Sequence, residues 1–194
     1  MSINVGASKW NIARPDTEKV AILRNSLKIS RLAAIPLVNR DHDTYEKAHD
    51  FLSAANAELL DPFLFDGMEE AADRLNRAVA ENEKICVYGD YDVDGITSTA
   101  LVCKYLQCRG FDNFIYYIPE RLSEGYGMNI TAVEKIASLG VNLIITVDNG
   151  VSAAAEIARA GELGVDVIVT DHHECRSEIP ECVAVINPKR PGCG

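Results

Sequence analysis

From residue 84 onward, short apolar runs alternate with stretches of helical pattern, and this alternation constrains the fold more than any other feature. Runs rich in β-branched and aromatic residues predict strands over residues 85–88, 114–118, 143–147, 165–170 and 183–186. Helical pattern lies between them, over residues 96–109, 131–139 and 152–160. Strands that alternate with such helices form βαβ units, so the sequence predicts an α/β fold with a doubly wound, mostly parallel five-stranded sheet.

The first 80 residues have a different pattern, which favours helices. Amphipathic spacing and capping residues predict helices over residues 17–29, 43–52 and 68–80. Asp43 is the expected cap of the second helix, and Pro36 indicates a loop before it. We therefore expect a helical N-terminal region, residues 1–80, that packs on an α/β domain formed by residues 81–194.

Composition limits the cellular location of the protein and the way it could bind nucleic acid. Hydrophobic residues make up 47% of the 194 positions, which is enough to bury a core without disulfides or a structural metal. The sequence has no apolar run of roughly 18 residues and no recognisable secretory signal, so we expect a cytoplasmic protein with no membrane partner and with reduced cysteines. The net charge of −10 opposes non-specific binding to DNA, so a nucleic-acid role requires a local basic track or a bound metal.

Carboxylates and histidines follow three of the predicted strands at the point where each strand ends. They are Asp90, Asp92 and Asp94 after the first strand, Asp148 after the third, and Asp171, His172 and His173 after the fourth. Because the carboxyl ends of parallel strands meet at one edge of a sheet, we expect these side chains to converge. We also expect Asp92 and Asp94 to alternate along an extended loop that curls at Gly95 toward this edge.

This concentration of negative charge indicates a metal site. Several carboxylates a few ångströms apart would repel one another strongly unless a cation lay among them. Asp oxygens and imidazole nitrogens suit Mn²⁺ or Mg²⁺, with Zn²⁺ and Fe²⁺ as further possibilities. Each motif taken singly is also compatible with an acidic turn or a helix-capping loop, and their common position at one sheet edge favours the metal site.

Several motifs resemble those of the DHH phosphoesterase superfamily. Asp171-His172-His173 follows an apolar strand, and residues 89–98 contain an Asp-x-Asp-x-Asp-Gly run that resembles the first motif of the family. Within the superfamily, residues 118–121 and 124–127 are similar to a stretch found in the RecJ-type exonucleases specific for single strands. Tyr88 stands where the pyrophosphatase branch has a histidine, which disfavours that branch.

The resemblance implies roles for individual residues. It implies that Asp92, Asp94, Asp148 and His172 bind a pair of Mn²⁺ or Mg²⁺ ions, and that His173 acts on the scissile phosphate. It also implies that Asp90 and Asp171 orient the ligands and that Arg121 contacts a substrate phosphate. Tyr126, between two loop glycines, and the Ser98 hydroxyl are further candidates for substrate contacts.

The expected function is therefore metal-dependent 5′→3′ exonuclease activity on single-stranded DNA in recombination and repair. The family supplies a further metal aspartate and a closing domain downstream, so the chain is interpreted as an N-terminal piece that is inactive alone. Expected partners are single-stranded DNA, the remaining domains, and a single-strand-binding protein or a helicase. Alternatives are a DHH phosphodiesterase of short oligonucleotides or cyclic dinucleotides, a HAD-type phosphatase, and a non-catalytic DNA-replication scaffold of the same fold.

Overall fold

Three short helices form the first of two units into which the chain divides, residues 1–59 and 60–194. The computed structural model describes residues 12–53, 59–175 and 179–192. The three helices are α1 Thr17–Leu27, α2 Arg31–Asn39 and α3 Tyr45–Leu52. Their apolar sides enclose a small core made of Val20, Leu23, Ala34, Leu37 and Ala48.

Two details of this first unit differ from the sequence-based prediction. The side chain of Ser30 caps α2 by accepting from the Ala33 N–H, and α2 continues through Pro36, so the predicted loop there is wrong. The cap of α3 is Thr44, whose Oγ1 accepts from the Lys47 N–H. Asp43 does not cap α3, because its carboxylate pairs with the ammonium groups of Lys19 and Lys47.

The second unit is built on a five-stranded sheet in which every neighbouring pair of strands is parallel. The strands are β1 Ile85–Tyr88, β2 Phe114–Tyr117, β3 Leu143–Val147, β4 Asp166–Thr170 and β5 Ala184–Ile186. The helices of this unit are α4 Met68–Ala80, α5 Val93–Cys108, α6 Ile130–Ser138 and α7 Ala154–Glu162. The predicted five-stranded α/β fold preceded by N-terminal helices is confirmed, and within the described ranges no helix could span a membrane.

Helices cover both faces of the sheet, because successive strand residues point to opposite sides. Cys86 and Tyr88 of β1 contribute to a core that α6 and α7 cover. Ile85 and Val87 contribute to the opposite core, which α4 and α5 cover. Although α4 falls in the predicted helical region, residues 1–80, its apolar side packs on the sheet within the second unit.

Candidate metal centre

The candidate site lies where the strand order of the sheet changes direction. The order is β2-β1-β3-β4-β5, so the chain passes from β1 to one side and returns to build the other side from β3 onward. In open parallel sheets the loops diverge at such a point and leave a crevice at the carboxyl ends of the strands. The loops after β1, β3 and β4 supply the polar side chains of this crevice.

Two glycines allow the loop after β1 to pack tightly against α5. A Cβ at Gly95 would lie 2.4 Å from the carbonyl oxygen of Asp90, and one at Gly89 would lie 2.1 Å from Thr99 Oγ1. Helix α5 consequently begins at Val93, with Asp92 as its cap. The expectation of an extended loop as far as Gly95 is therefore wrong, because Asp94 lies in the first helical turn.

Asp90 is a buried carboxylate without a compensating partner. The residue has no exposed surface, and among the described residues neither carboxylate oxygen has a hydrogen-bond partner. Burial raises the pKa of this carboxyl, and the nearby N–H of Tyr91 opposes the shift only in part. An unpaired buried charge is costly, so this position favours the binding of a cation.

Asp92 uses one oxygen to cap the helix. Its Oδ1 accepts from the N–H groups of Asp94 and Gly95 at 3.0 and 3.1 Å, and these N–H groups, the Gly95 one foremost, lower the pKa of the carboxyl. The cap fixes the orientation of the side chain, and the other oxygen remains available to a ligand.

Asp148 follows β3 in a backbone conformation that is uncommon for residues other than glycine. Its φ is +63°, and its N–H donates to the Thr170 carbonyl on the neighbouring strand. Its Oδ1 lies 2.9 Å from Nε2 of His172. Burial, and then the charge of Asp92, raise the pKa of this carboxyl, so a cation between Asp92 and Asp148 would relieve both effects.

Asp171, directly after β4, is also buried, but unlike Asp90 it is hydrogen-bonded through both carboxylate oxygens. It accepts from the N–H groups of Val151, His172 and His173, and from Nδ1 of His173 at 2.7 Å. Burial opposes ionisation, but these bonds together lower the pKa of the carboxyl. Asn187, after β5, donates to the carbonyl of His173 and also holds this turn.

Two groups of potential ligands share Asp148. One consists of Asp90, Asp92 and Asp148, and the other of Asp148, His172 and His173; within each group the ligand atoms lie within 4.8 Å of one another. Adjacent ligands of an octahedral ion at about 2.1 Å are about 3 Å apart, close to the His172–Asp148 separation of 2.9 Å. The donor types, the spacing and the unpartnered Asp90 therefore fit divalent cations.

Asp94 and Ser98 are not brought into these groups. Both line a neighbouring groove on the α5 side, which Asp148 and His172 also border. The Ser98 hydroxyl donates to the backbone carbonyls of Asp94 and Gly95, as serine commonly does inside a helix. These two residues therefore border the candidate metal centre from the first two turns of α5.

Arg121 and Tyr126 lie on the opposite side, in the loop between β2 and α6. The guanidinium carbon of Arg121 lies 5.1 Å from the ring centroid of Tyr91, and Tyr91 meets Tyr126 edge-to-face at 6.2 Å. The Tyr126 hydroxyl is 3.1 Å from Nε2 of His173. Tyr91 was missed in the sequence, although an aromatic residue between two motif aspartates was a signal that could have identified it.

The family follows from comparison of the sequence with known proteins. Residues 84–194 match the model of the DHH family, N-terminal domain. The chain belongs to the DHH family, as the sequence motifs predicted.

Curated relatives in this family carry a more specific name. The chain is 48% identical over 185 residues to the single-stranded-DNA-specific exonuclease RecJ of Bacillus subtilis, a match that covers 95% of this chain and 23% of the relative. It is 42% identical over 127 residues to the enzyme of the same name from Escherichia coli, covering 66% of this chain and 22% of the relative. This chain therefore spans less than a quarter of the length of these relatives.

Solved structures lead to the same group. A crystal structure of exonuclease RecJ bound to manganese superposes with a TM-score of 0.63 at 36% identity, over 69% of this chain and 34% of that chain. RecJ in complex with Mn²⁺ from Thermus thermophilus superposes with a TM-score of 0.65 at 27% identity, over 94% of this chain and 25% of that chain. The resemblance to RecJ-type exonucleases is confirmed.

Proposed function

We propose that this chain carries the metal centre of a nuclease that hydrolyses phosphodiester bonds in single-stranded DNA from the 5′ end. The observation that carries the proposal is the convergence of Asp90, Asp92, Asp148 and two histidines at the switch point between β1 and β3. The similarity to single-stranded-DNA-specific exonucleases supports the choice of substrate.

The metal-binding side chains in this proposal are Asp92, Asp148 and His172, together with Asp94, which approaches from the α5 side. The buried Asp90 lies next to Asp92 and Asp148. Mn²⁺ is the favoured ion because the two similar RecJ structures contain it, and Mg²⁺ suits the same oxygen ligands. A pair of such ions supplies a nucleophilic water at neutral pH and offsets charge on the phosphate.

His173 acts on the phosphate in this mechanism. The ionised Asp171 can only accept at the His173 contact, so the Nδ1 atom of the imidazole carries the proton. Nε2 is thereby left on the side of the metal centre, where a protonated imidazole donates to a phosphate oxygen as charge develops. Asp171 therefore orients His173 and does not need to bind a metal itself.

Cationic and aromatic groups beside the metal centre suit a DNA strand. Arg121 is exposed and held over the ring of Tyr91, so it can meet a phosphate while the nearby rings of Tyr91 and Tyr126 offer faces to bases. The Ser98 hydroxyl borders the groove on the other side. We assign the rest of strand binding to further domains, because the net charge of −10 opposes it.

We also propose that the 194-residue chain alone does not degrade DNA. The exposed metal centre would lack a closing domain and a further ligand, and both are expected from the family rather than from this chain. A cytoplasmic location, a role in recombination and repair, and contact with a single-strand-binding protein or a helicase belong to the same proposal.

The test uses single strands labelled at either end, a matched duplex and a cyclic dinucleotide, with Mn²⁺. The full-length protein is expected to shorten the single strand from its 5′ end, and its Asp148→Ala variant is expected to be inactive. The chain of 194 residues, assayed in parallel, is expected to leave the strand intact. Hydrolysis of the dinucleotide alone would indicate another DHH phosphodiesterase, and the absence of any hydrolysis would indicate a scaffold; either result contradicts the proposal.

A further inference from the structure

The Tyr126 hydroxyl and the His173 imidazole point toward each other at the edge of the metal centre. Tyr126 Oη lies 3.1 Å from His173 Nε2, and the two rings meet edge-to-face with centroids 5.9 Å apart. Both side chains line one cavity of about 290 Å³, which the turn after β3 closes on the far side. The cavity has room for a phosphate group beside these two atoms.

Hydrogen bonds from the side chains of β1 and β2 hold the loop that carries Tyr126. The buried Tyr88 of β1 donates its hydroxyl to the carbonyl of Gly127 at 3.1 Å. Glu124 accepts from the hydroxyl of Tyr117 on β2 and from the N–H of Glu120. These hydrogen bonds hold the chain two residues before and one residue after Tyr126, so β1 and β2 fix the position of the loop that carries its ring.

Tyr126 is a hydrogen-bond donor in this position. The ordinary pKa of a phenol is about 10, so the hydroxyl keeps its proton at neutral pH. In the described part of the chain, the hydroxyl has hydrogen-bond contacts with His173 alone. Its proton can rotate about the C–O bond, so it can turn from Nε2 to another acceptor nearby.

We propose that Tyr126 is a catalytic residue whose hydroxyl donates to the same non-bridging phosphate oxygen as Nε2 of His173. Two donor atoms 3.1 Å apart can both reach one oxygen that lies at hydrogen-bond distance from each. Paired donors aimed at one oxygen stabilise the charge that develops on it. This inference rests on the proposed function. There the ring of Tyr126 contacts the substrate, and here its hydroxyl has a separate catalytic role.

The test combines Tyr126→Phe with a sulphur substitution in the substrate. With a normal phosphate, Tyr126→Phe in the full-length protein should lower kcat about 10- to 100-fold. This is at or below the loss of about 10²–10³ in kcat that follows removal of one donor to a developing oxyanion. KM should stay unchanged, because the ring remains. In one phosphorothioate diastereomer the sulphur replaces the oxygen that Tyr126 contacts; sulphur is a poor acceptor, so the same variant should lose little further rate there.

Two controls separate this role from a structural one. Mn²⁺ affinity, measured by calorimetry, should be equal in the wild type and in Tyr126→Phe. Tyr116→Phe, the same change at an exposed tyrosine of β2, should leave kcat unchanged. A wild-type kcat in Tyr126→Phe, or an equal loss on phosphate and both diastereomers, would overturn the inference. A wild type that cleaves no strand would instead overturn the proposed function.

Discussion

The aspartates that follow β1 and β4 are both buried, yet their surroundings are opposite. Asp90 has no exposed surface and, among the described residues, no hydrogen-bond partner for either oxygen. The Asp171 side chain is 1% exposed and accepts from three backbone N–H groups and one imidazole. The same residue type at the same edge of one sheet is therefore left unpaired in one turn and fully paired in the other.

The difference separates two uses of a buried carboxylate. A carboxylate that is supplied with donors is stable as an anion and can hold a neighbouring group, as Asp171 holds His173. A carboxylate without donors is destabilising until a cation arrives, as Asp90 is beside Asp92 and Asp148. The turn after β1 therefore favours the binding of a cation, whereas the turn after β4 positions an imidazole.

Substitution of the two adjacent histidines gives the largest expected effect. His172 lies beside the metal-binding carboxylate Asp148, whereas His173 is held by Asp171. His173→Ala in the full-length protein should keep Mn²⁺ and lose about 10²–10³ in turnover, the usual cost of a transition-state donor. His172→Ala should weaken Mn²⁺ binding itself, because Nε2 of His172 lies beside the Asp148 carboxylate. Calorimetry and single-turnover kinetics on both variants measure this. Metal loss in His173→Ala with retention in His172→Ala would reverse the assigned roles.

Asp148 is the residue that the two groups of potential ligands have in common, so its removal should affect the metal most directly. We expect Asp148→Ala to weaken Mn²⁺ binding on the order of 100-fold or more, because the loss of a residue that only hydrogen-bonds to a metal ligand already costs about 10- to 100-fold. Asp73→Ala, at an exposed position of α4, is the matched control. An equal Mn²⁺ affinity in Asp148→Ala and wild type would contradict the proposed centre.

The absence of hydrogen-bond partners for Asp90 should affect the free energy of unfolding. Asp90→Asn removes the buried charge, so the metal-free chain should gain about 1–3 kcal/mol in free energy of unfolding. The same variant should gain less from added Mn²⁺ than the wild type, because metal binding and folding are linked. Urea unfolding with and without Mn²⁺ measures both, with the exposed Asp73→Asn as control. Destabilisation of the metal-free variant would show that Asp90 has partners.

The strands could be predicted from the sequence to within about a residue, because each apolar run is followed by a residue that disfavours strands: Gly89, Pro119, Asp148, Asp171 or Asn187. The convergence of the carboxylates could also be predicted, since it follows from parallel strands alone. The start of α5 could not. It depends on Gly95 packing against the backbone of Asp90, and a contact between chain segments leaves no periodic signal.

The same limit applies to hydrogen-bond partners. Asp90 and Asp171 look alike in the sequence as supporting aspartates, and only the fold decides which one meets N–H donors. The Ser98 hydroxyl looked available for a substrate, yet it bonds to the helix backbone. Tyr91 was overlooked because the role of an aromatic residue between aspartates depends on Arg121, which lies 30 positions further along the chain.

Arg121 gives the smallest expected effect, since it is an exposed residue beside the loop that follows β1. Its guanidinium lies over the ring of Tyr91, and its positive charge partly offsets the rise that burial causes in the pKa of Asp90. If Arg121 meets a phosphate, Arg121→Ala in the full-length protein should weaken single-strand binding and reduce the salt slope by about 1. Lys104→Ala removes the same charge about three turns along α5 and should leave the slope unchanged. Binding isotherms across a series of salt concentrations measure both variants.

An unchanged salt slope in Arg121→Ala would contradict this prediction. It would mean that Arg121 packs on Tyr91 without contacting the DNA strand, and that other residues supply the positive charge of the site.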